Sequence, residues 1–247
     1  SWLRCRRRRI VTGRPVFGRY PVKRGKVLIV DLELHRNLIA SRLRTVARAM
    51  ELVPDDYRSM IEVICLRGKW KSVDDIIAGL SDVNPGDFVL CIVDSKYRLN
   101  IDGGDENANG GETLLYNKVD ALAERLGAAI VLIHHLTKGN QSDRRVTDLG
   151  AGGGAQSRAA DTHIALREHE DEGVAVLDGA VRSFPPLQPL AIRWEFPLWV
   201  ADEWADPDQL KGSKSPSEEK QLKKDKKGRD DILAALLKGP LTKNEIC

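Results

Sequence analysis

Five polar side chains follow three apolar stretches of the sequence, at or near the point where each stretch ends. They are Asp31 and Glu33 for the first stretch, Asp94 for the second, and His134 and His135 for the third. A carboxylate directly after an apolar strand can hold a nucleotide-bound Mg²⁺, and a carboxylate on a neighbouring strand can orient an attacking water. A neutral polar group on a third strand can contact the terminal phosphate. Together these side chains suit phosphoryl-transfer chemistry.

Each of these side chains also has an ordinary structural explanation. An aspartate at a strand end commonly caps a turn or a helix, and Glu33 suits the start of the helix that follows it. Adjacent histidines at a strand end often serve only as hydrogen-bonding groups. Packing gives no reason for all three strand ends to carry such groups, so we favour the functional interpretation.

The elements that must position these groups follow from the apolar pattern. Helical patterns separate short apolar runs rich in β-branched residues, which indicates a parallel sheet covered on both faces. The predicted strands are 26–34, 61–66, 87–94 and 129–135, and the predicted helices are 35–52, 72–80 (with Ser72 as cap) and 111–128. Ligands of such sheets bind outside the carboxyl ends of the strands, so the five side chains are expected to meet at one edge.

The pattern changes after residue 160. Segments 162–169, 173–184 and 190–200 look like strands joined by short turns, which predicts an antiparallel extension. Residues 205–229 contain few apolar residues and many charges, which is typical of a flexible linker. Residues 230–247 begin a helix, a Gly-Pro turn and a second helix, as a helix-turn-helix or winged-helix module would. We therefore expect a core domain over residues 1–204.

Composition narrows the functional classes. The net charge of +3 is uneven, because residues 1–26 carry ten Lys or Arg and no acid, whereas residues 27–208 carry 19 basic and 30 acidic side chains. This balance argues against broad coating of nucleic acid and leaves local basic loops or the termini for such contacts. Four scattered cysteines without a CxxC pair argue against a disulfide framework or a zinc site. Neither a signal-peptide pattern nor an apolar run of about 20 residues occurs, which predicts a cytoplasmic protein.

A phosphate-binding loop of the form GxxxxGK[ST] should precede these strands, and the sequence has none. The chain begins with Ser1 and ends within a helical pattern, so we interpret it as a fragment cut at both ends. If the residue before Ser1 were the lysine of such a loop, Ser1 would supply its Mg²⁺-binding hydroxyl. The fragment alone is then expected to hydrolyse ATP poorly, because the lysine and the backbone cradle are missing.

Three longer segments, residues 13–43, 87–139 and 146–170, resemble the RecA-like AAA-family ATPases related to the plasmid replicative helicase RepA. An ordered set of motifs carries the resemblance: a strand with a glutamate, a strand ending in aspartate, and a strand followed by His-His-x-x-Lys-Gly. The likeness covers about residues 11–200. It implies an α/β fold with a P-loop NTPase core, a mostly parallel central sheet and antiparallel edge strands.

The resemblance also implies roles. Glu33 would polarise the attacking water, Asp94 would be the Walker B aspartate near Mg²⁺, and His134 or His135 would sense the γ-phosphate. The cofactors would be ATP and Mg²⁺. The protein would act on DNA in replication, as a helicase relative or in mobile elements, and would assemble as a ring or filament of identical copies.

The arginine finger is a departure from the family pattern. The related helicases carry Arg-Gly-Ser where this sequence has glycines, so another residue must reach the ATP of a neighbouring subunit. The candidates for a finger or sensor are Lys138, Arg145 and Arg158. Arg158 could instead pair with Asp161.

Two other functional classes remain open at the level of sequence. A non-catalytic nucleic-acid-binding regulator could use a degenerate ATPase fold with the basic N-terminus and the C-terminal helices. A metal-dependent hydrolase is the other alternative, with the ligands Asp31, Asp94, His134, His135 and His163. Against the hydrolase, adjacent strand residues point to opposite faces, so His134 and His135 would not easily bind one ion together.

Overall fold

The computed structural model describes residues 10–69, 72–99, 109–136, 142, 144–149, 154–212, 224–225, 227–229 and 231–234. Its strands are β1 (Val27–Asp31), β2 (Ile61–Cys65), β3 (Leu90–Asp94), β4 (Ala129–Ile133), β5 (Thr162–Glu168), β6 (Val174–Val181), β7 (Leu187–Glu195) and β8 (Leu198–Ala201). Its helices are α1 (Arg36–Ala49), α2 (Val73–Gly79), α3 (Asn109–Leu126) and α4 (Gly154–Ala159). None of the helices in the described part of the chain has the length and apolarity that a membrane crossing requires.

Strands β1 to β4 form the parallel sheet that the alternating pattern predicts. Their order is β2-β1-β3-β4, and every pair is parallel. Parallel pairing brings the carboxyl ends of the strands to one edge, where Asp31 of β1 lies level with Asp94 of β3, and Asp94 lies level with Ile133 of β4. The sheet therefore aligns the polar ends of three strands side by side.

The two faces of the parallel sheet pack into separate apolar cores. The residues of β1 and the first four of β3 are buried, as expected of central strands covered on both sides. Leu28, Val30 and Cys91 face a core shared with α2 and α3, in which Leu115 and Leu122 are almost fully buried. The opposite face, with Val27, Ile29, Leu90 and Ile92, packs against Ile10 and Val11.

The helix boundaries follow local signals. The Ser72 side chain accepts a hydrogen bond from the backbone N–H of Asp75, and the Asp75 carboxylate accepts one from the backbone N–H of Ser72, a capping box that confirms the predicted cap. The helical spacing places Leu38 and Leu114 on apolar faces as well, but their side chains are 41% and 39% exposed. Other residues of the same patterns are buried instead, such as Val46 and Ala47 of α1 and Leu115 and Leu122 of α3.

Strands β5 to β8 form an antiparallel meander, which confirms the predicted extension. Residues 190–200, predicted as one strand from the sequence, belong to two strands that turn at Phe196 and Pro197. Proline there ends the ladder, because it has no N–H to donate. The inner face of this sheet packs Leu177, Leu190 and Ile192 against Val131 and Ile133 of β4.

The first part of the predicted linker lies against the antiparallel sheet. Glu170 donates its backbone N–H to the carbonyl of Gln209, and Lys211 donates its backbone N–H to the carbonyl of Glu168. Of the predicted 230–247 module, the structure describes only residues 231–234, which are helical. The helix-turn-helix prediction therefore falls almost entirely outside the described residues.

Candidate functional site

Asp31 ends β1, and its side chain forms hydrogen bonds with the backbone of the loop that follows. Its carboxylate Oδ1 accepts the backbone N–H groups of Glu33 at 2.9 Å and Leu34 at 2.7 Å, and the residue is 1% exposed. Such a turn-forming aspartate is the structural role that the sequence left open. These hydrogen bonds fix the position of the Glu33 backbone two residues beyond the end of β1.

Glu33 lies at the centre of the polar groups at this edge. Its Oε1 accepts a hydrogen bond of 2.6 Å from the Ser95 hydroxyl and lies 3.5 Å from His135 Nε2. Burial acts to raise the pKa of Glu33, but hydrogen bonds from Ser95, Tyr97 and His135 outweigh it, so the pKa is lowered. Glu33 is therefore a carboxylate, held as an acceptor.

Asp94 ends β3 beside the Glu33 loop. Its carbonyl accepts the backbone N–H of Leu32 at 2.6 Å, which joins the two strand ends. The Asp94–Ser95 peptide bond is cis, and Ser95 is fully buried. Asp94 supplies a carboxylate, the ligand type that Mg²⁺ prefers, at the end of a central strand, so its residue type and position fit a nucleotide-bound Mg²⁺.

The two histidines after β4 lie in different surroundings. His135 is on the Glu33 side, with a side chain that is 70% exposed and a ring 5.7 Å from that of Tyr97. His134 is inside, where its Nε2 lies 2.8 Å from the Gln156 amide nitrogen. Burial and the nearby Lys96 charge lower the pKa of His134, so its ring is neutral near pH 7.

A buried ion pair behind His134 is a feature that sequence analysis missed. Lys96 donates to Glu112 Oε2 at 2.6 Å and to Gln156 Oε1 at 3.3 Å, with the Lys96 and Glu112 side chains only 8% and 10% exposed. The available signal was a lysine directly after the apolar β3 run and Asp94-Ser95, where a solvated charge is unexpected. Its partners are 16 and 60 residues away in sequence, so only the fold identifies them.

The remaining predicted site residues are not gathered at this edge by any contact in the described structure. Ser1 and Lys138 lie outside the described residues. Arg145 and Arg158 are exposed, the first just before a short 3₁₀ turn and the second on α4. The partner that the structure gives Asp161 is Arg182, at 3.5 Å, rather than Arg158.

The metal-hydrolase alternative is not supported. Across the described residues, no group of three or more His, Cys, Asp or Glu side chains is arranged to hold a metal ion. Asp31 bonds to backbone N–H groups, and His134 bonds to Gln156. His163 lies on β5 with a buried Nε2 that has no hydrogen-bond partner in the described part of the chain.

Comparison with known proteins agrees with this architecture. The profile of the AAA domain family matches residues 7–141, more than half of the chain. The chain therefore belongs to this family of ATPase domains. No curated protein matches the sequence of the chain.

Solved structures show the same fold. One solved ATPase domain is 17% identical with a TM-score of 0.55, and the match covers 72% of this chain and 75% of that domain. A DnaB-like replicative helicase is 16% identical with a TM-score of 0.54, covering 71% of this chain, and the chain spans about half (51%) of the helicase. The RadB recombinase is 16% identical with a TM-score of 0.51, and the match covers 75% of this chain and 78% of the recombinase. The chain thus has the RecA-like α/β fold.

Proposed function

We propose that this protein binds Mg²⁺–ATP, hydrolyses it, and uses the turnover to act on DNA in replication, helicase-related or mobile-element work, as relatives of the plasmid helicase RepA would. The observation that carries the proposal is the ionised Glu33, held by Ser95 beside the Asp94 strand end and next to His135. Membership of the AAA domain family supports ATP as the nucleotide.

Each polar group at the edge has a role in this proposal. Glu33 orients the attacking water and accepts its proton, and Asp94 would hold Mg²⁺ together with the hydroxyl of Ser1. Bound Mg²⁺ would neutralise charge on the phosphates. His135 is the histidine we assign to the γ-phosphate, because it shares the Glu33 side and is exposed. His134 supports the end of β4 from within.

DNA and further copies of the chain are the proposed partners. Solved structures with this fold include a replicative helicase and a recombinase, which favours DNA as the macromolecular substrate. Lys138, Arg145 and Arg158 remain the candidates to reach ATP bound by a neighbouring copy in a ring or filament. The exposure of Arg145 and Arg158 suits that task.

The test is ATP hydrolysis by the full-length protein, measured with and without single-stranded DNA, for Glu33→Gln and its matched control Glu62→Gln. Glu62 is an exposed carboxylate on β2 of the same sheet. We expect Glu33→Gln to lower kcat by about 100-fold or more, and Glu62→Gln to leave it unchanged. Stimulation by DNA would support the DNA-linked role.

Two outcomes would contradict the proposal in different ways. Turnover that is indifferent to DNA would leave an ATPase and remove the link to DNA. A folded wild-type protein without turnover would favour the non-catalytic nucleic-acid-binding regulator, for which the ten basic residues and absence of acid in residues 1–26 already offer a contact.

A further inference from the structure

A chain of buried polar groups lies behind the candidate site and joins four elements. Glu112 in the first turn of α3 accepts from Lys96, which follows β3, and Lys96 also donates to Gln156 of α4. The amide nitrogen of Gln156 lies within hydrogen-bond distance of His134, which follows β4. The three residues Lys96, Glu112 and Gln156 are 8%, 7% and 4% exposed, so their side chains lie away from bulk solvent.

The chemistry of Lys96 determines which way the Gln156 amide points. A lysine ammonium can only donate, so the group that faces it must be the amide oxygen, Oε1. The amide nitrogen, Nε2, then faces His134 and can only donate to it. His134 Nε2 lies 2.8 Å away and must accept, which leaves the imidazole neutral with its proton on Nδ1.

The other side of the His134 ring leads to the candidate site. The Nδ1–H of that tautomer points away from the Gln156 bond and can donate to a neighbouring acceptor. His135 is the residue 3.5 Å from Glu33. Because His134 and His135 are adjacent, the way the His134 ring is held affects the main chain that carries His135 beside the carboxylate.

The charges around His134 act in opposite directions. Burial and the Lys96 ammonium oppose protonation of the ring, as does His163 on β5. The backbone of His135 and the carboxylate of Glu112 favour it. Tyr116 of α3 also faces this cluster, with its ring 5.4 Å from Lys96 Nζ. The net effect lowers the pKa of His134, and the hydrogen bond donated by Gln156 is placed to decide which ring nitrogen carries the proton.

We propose that Gln156 is a positioning residue: oriented by Lys96, it keeps His134 neutral with the proton on Nδ1 and so places His135 beside Glu33. The consequence for turnover rests on the proposed function, whereas the tautomer of His134 is a property of the fold. The same bond ties α4, which leads directly into β5, to the end of β4. A change in one of these two segments is therefore transmitted to the other.

The first test is NMR of ¹⁵N-histidine-labelled full-length protein, recorded as a pH titration of the His134 ring. Gln156→Leu removes the donor, and Gln156→Glu replaces it with a group that accepts. Gln188→Leu, at an exposed position on β7, is the matched control. We expect an Nδ1–H ring in the wild type and in Gln188→Leu. The pKa of His134 should rise in Gln156→Leu and rise further in Gln156→Glu.

A wild-type ring with its proton on Nε2, or a His134 pKa that is the same in the wild type and Gln156→Glu, would overturn the proposal. The glutamate variant keeps a bond to Lys96, so the test survives if Gln156→Leu fails to fold. NMR detects the tautomer without ATP. A protein without turnover would therefore defeat the proposed function and leave this inference standing.

The second test is the pH profile of ATP turnover. In Gln156→Glu we expect the acid limb of kcat to move to higher pH, because protonated His134 no longer places His135. Gln188→Leu should follow the wild type. If NMR shows the altered ring while the pH profile of an active enzyme is unchanged, Gln156 sets the tautomer without positioning the site, and the positioning role is excluded.

Discussion

The two sides of the β4 end show how differently neighbouring residues can be used. On the outer side, His135 is 70% exposed and lies at the edge of hydrogen-bond range from Glu33. On the inner side, the partly buried His134 bonds to Gln156, which belongs to a buried set with Lys96 and Glu112. The outer groups are accessible to a ligand, whereas the inner groups form hydrogen bonds with one another.

The inner groups therefore matter mainly for the stability of the fold, and the outer groups mainly for the reaction. A buried polar group is costly to leave without a partner, so breaking the inner set should lower the free energy of unfolding. An exposed pair contributes little, because water replaces whichever partner is lost. We therefore expect substitutions on the inner side to change folding first, and substitutions on the outer side to change turnover first.

Lys96→Met gives the largest expected loss of stability. Removing the ammonium leaves the Glu112 carboxylate buried without its partner, which costs about 3–5 kcal/mol of unfolding free energy. Lys118→Met is the matched control, because Lys118 pairs with Asp74, whose side chain is 58% exposed, and its loss should cost less than about 1 kcal/mol. Urea unfolding followed by circular dichroism measures both.

The double variant Lys96→Met, Glu112→Leu refines the same comparison. Because it removes the orphaned charge, it should recover most of the loss. Equal stability of Lys96→Met and Lys118→Met would show that the Lys96–Glu112 pair is not shielded from water.

His134→Ala and His135→Ala compare the two histidines directly. His134→Ala leaves the Gln156 amide buried without an acceptor and should cost about 1–3 kcal/mol. His135→Ala, at an exposed position, should stay within about 0.5 kcal/mol of the wild type. Chemical unfolding at pH 7.5 measures the difference, and a reversed order would contradict the assignment of inner and outer sides.

The pH dependence of the His134 effect has a defined sign. Burial lowers the pKa of His134 below the ordinary value of 6.5, so the unfolded chain binds the extra proton as the pH falls below 6.5. The wild type should lose stability there through this group, and His134→Ala should not show that part of the loss.

Ser95→Ala tests how the buried Ser95 hydroxyl holds Glu33. Loss of the hydroxyl that donates to Glu33 should cost about 1 kcal/mol near pH 7 and raise the pKa of Glu33. Because that pKa lies below the ordinary value of 4.5, ionised Glu33 stabilises the fold above 4.5, and the contribution disappears as the pH falls through the folded value. In Ser95→Ala the loss should begin at a higher pH, which acid unfolding curves would show. Superimposable curves would mean that Ser95 does not hold the carboxylate.

Much of the fold follows from local pattern. Apolar runs of strand length separated by helical spacing were enough to predict the parallel sheet and the common edge for Asp31, Asp94 and the histidines. The turn at Phe196 and Pro197 was missed, because apolar residues continue through it. The buried Lys96–Glu112 pair was also missed, since no rule of local spacing places two distant charges in one dry cluster.

The sequence by itself determined which residue types arrive at the edge of the sheet, because strand order along the chain and parallel pairing place every strand end there. It determined neither which histidine faces Glu33 nor what holds the other. Only the tertiary structure decided these, by placing one partly buried ring against α4 and leaving the other mostly in solvent. The physical reason is that hydrogen-bond partners and desolvation depend on proximity in space, and Gln156 lies 22 residues from His134 along the chain.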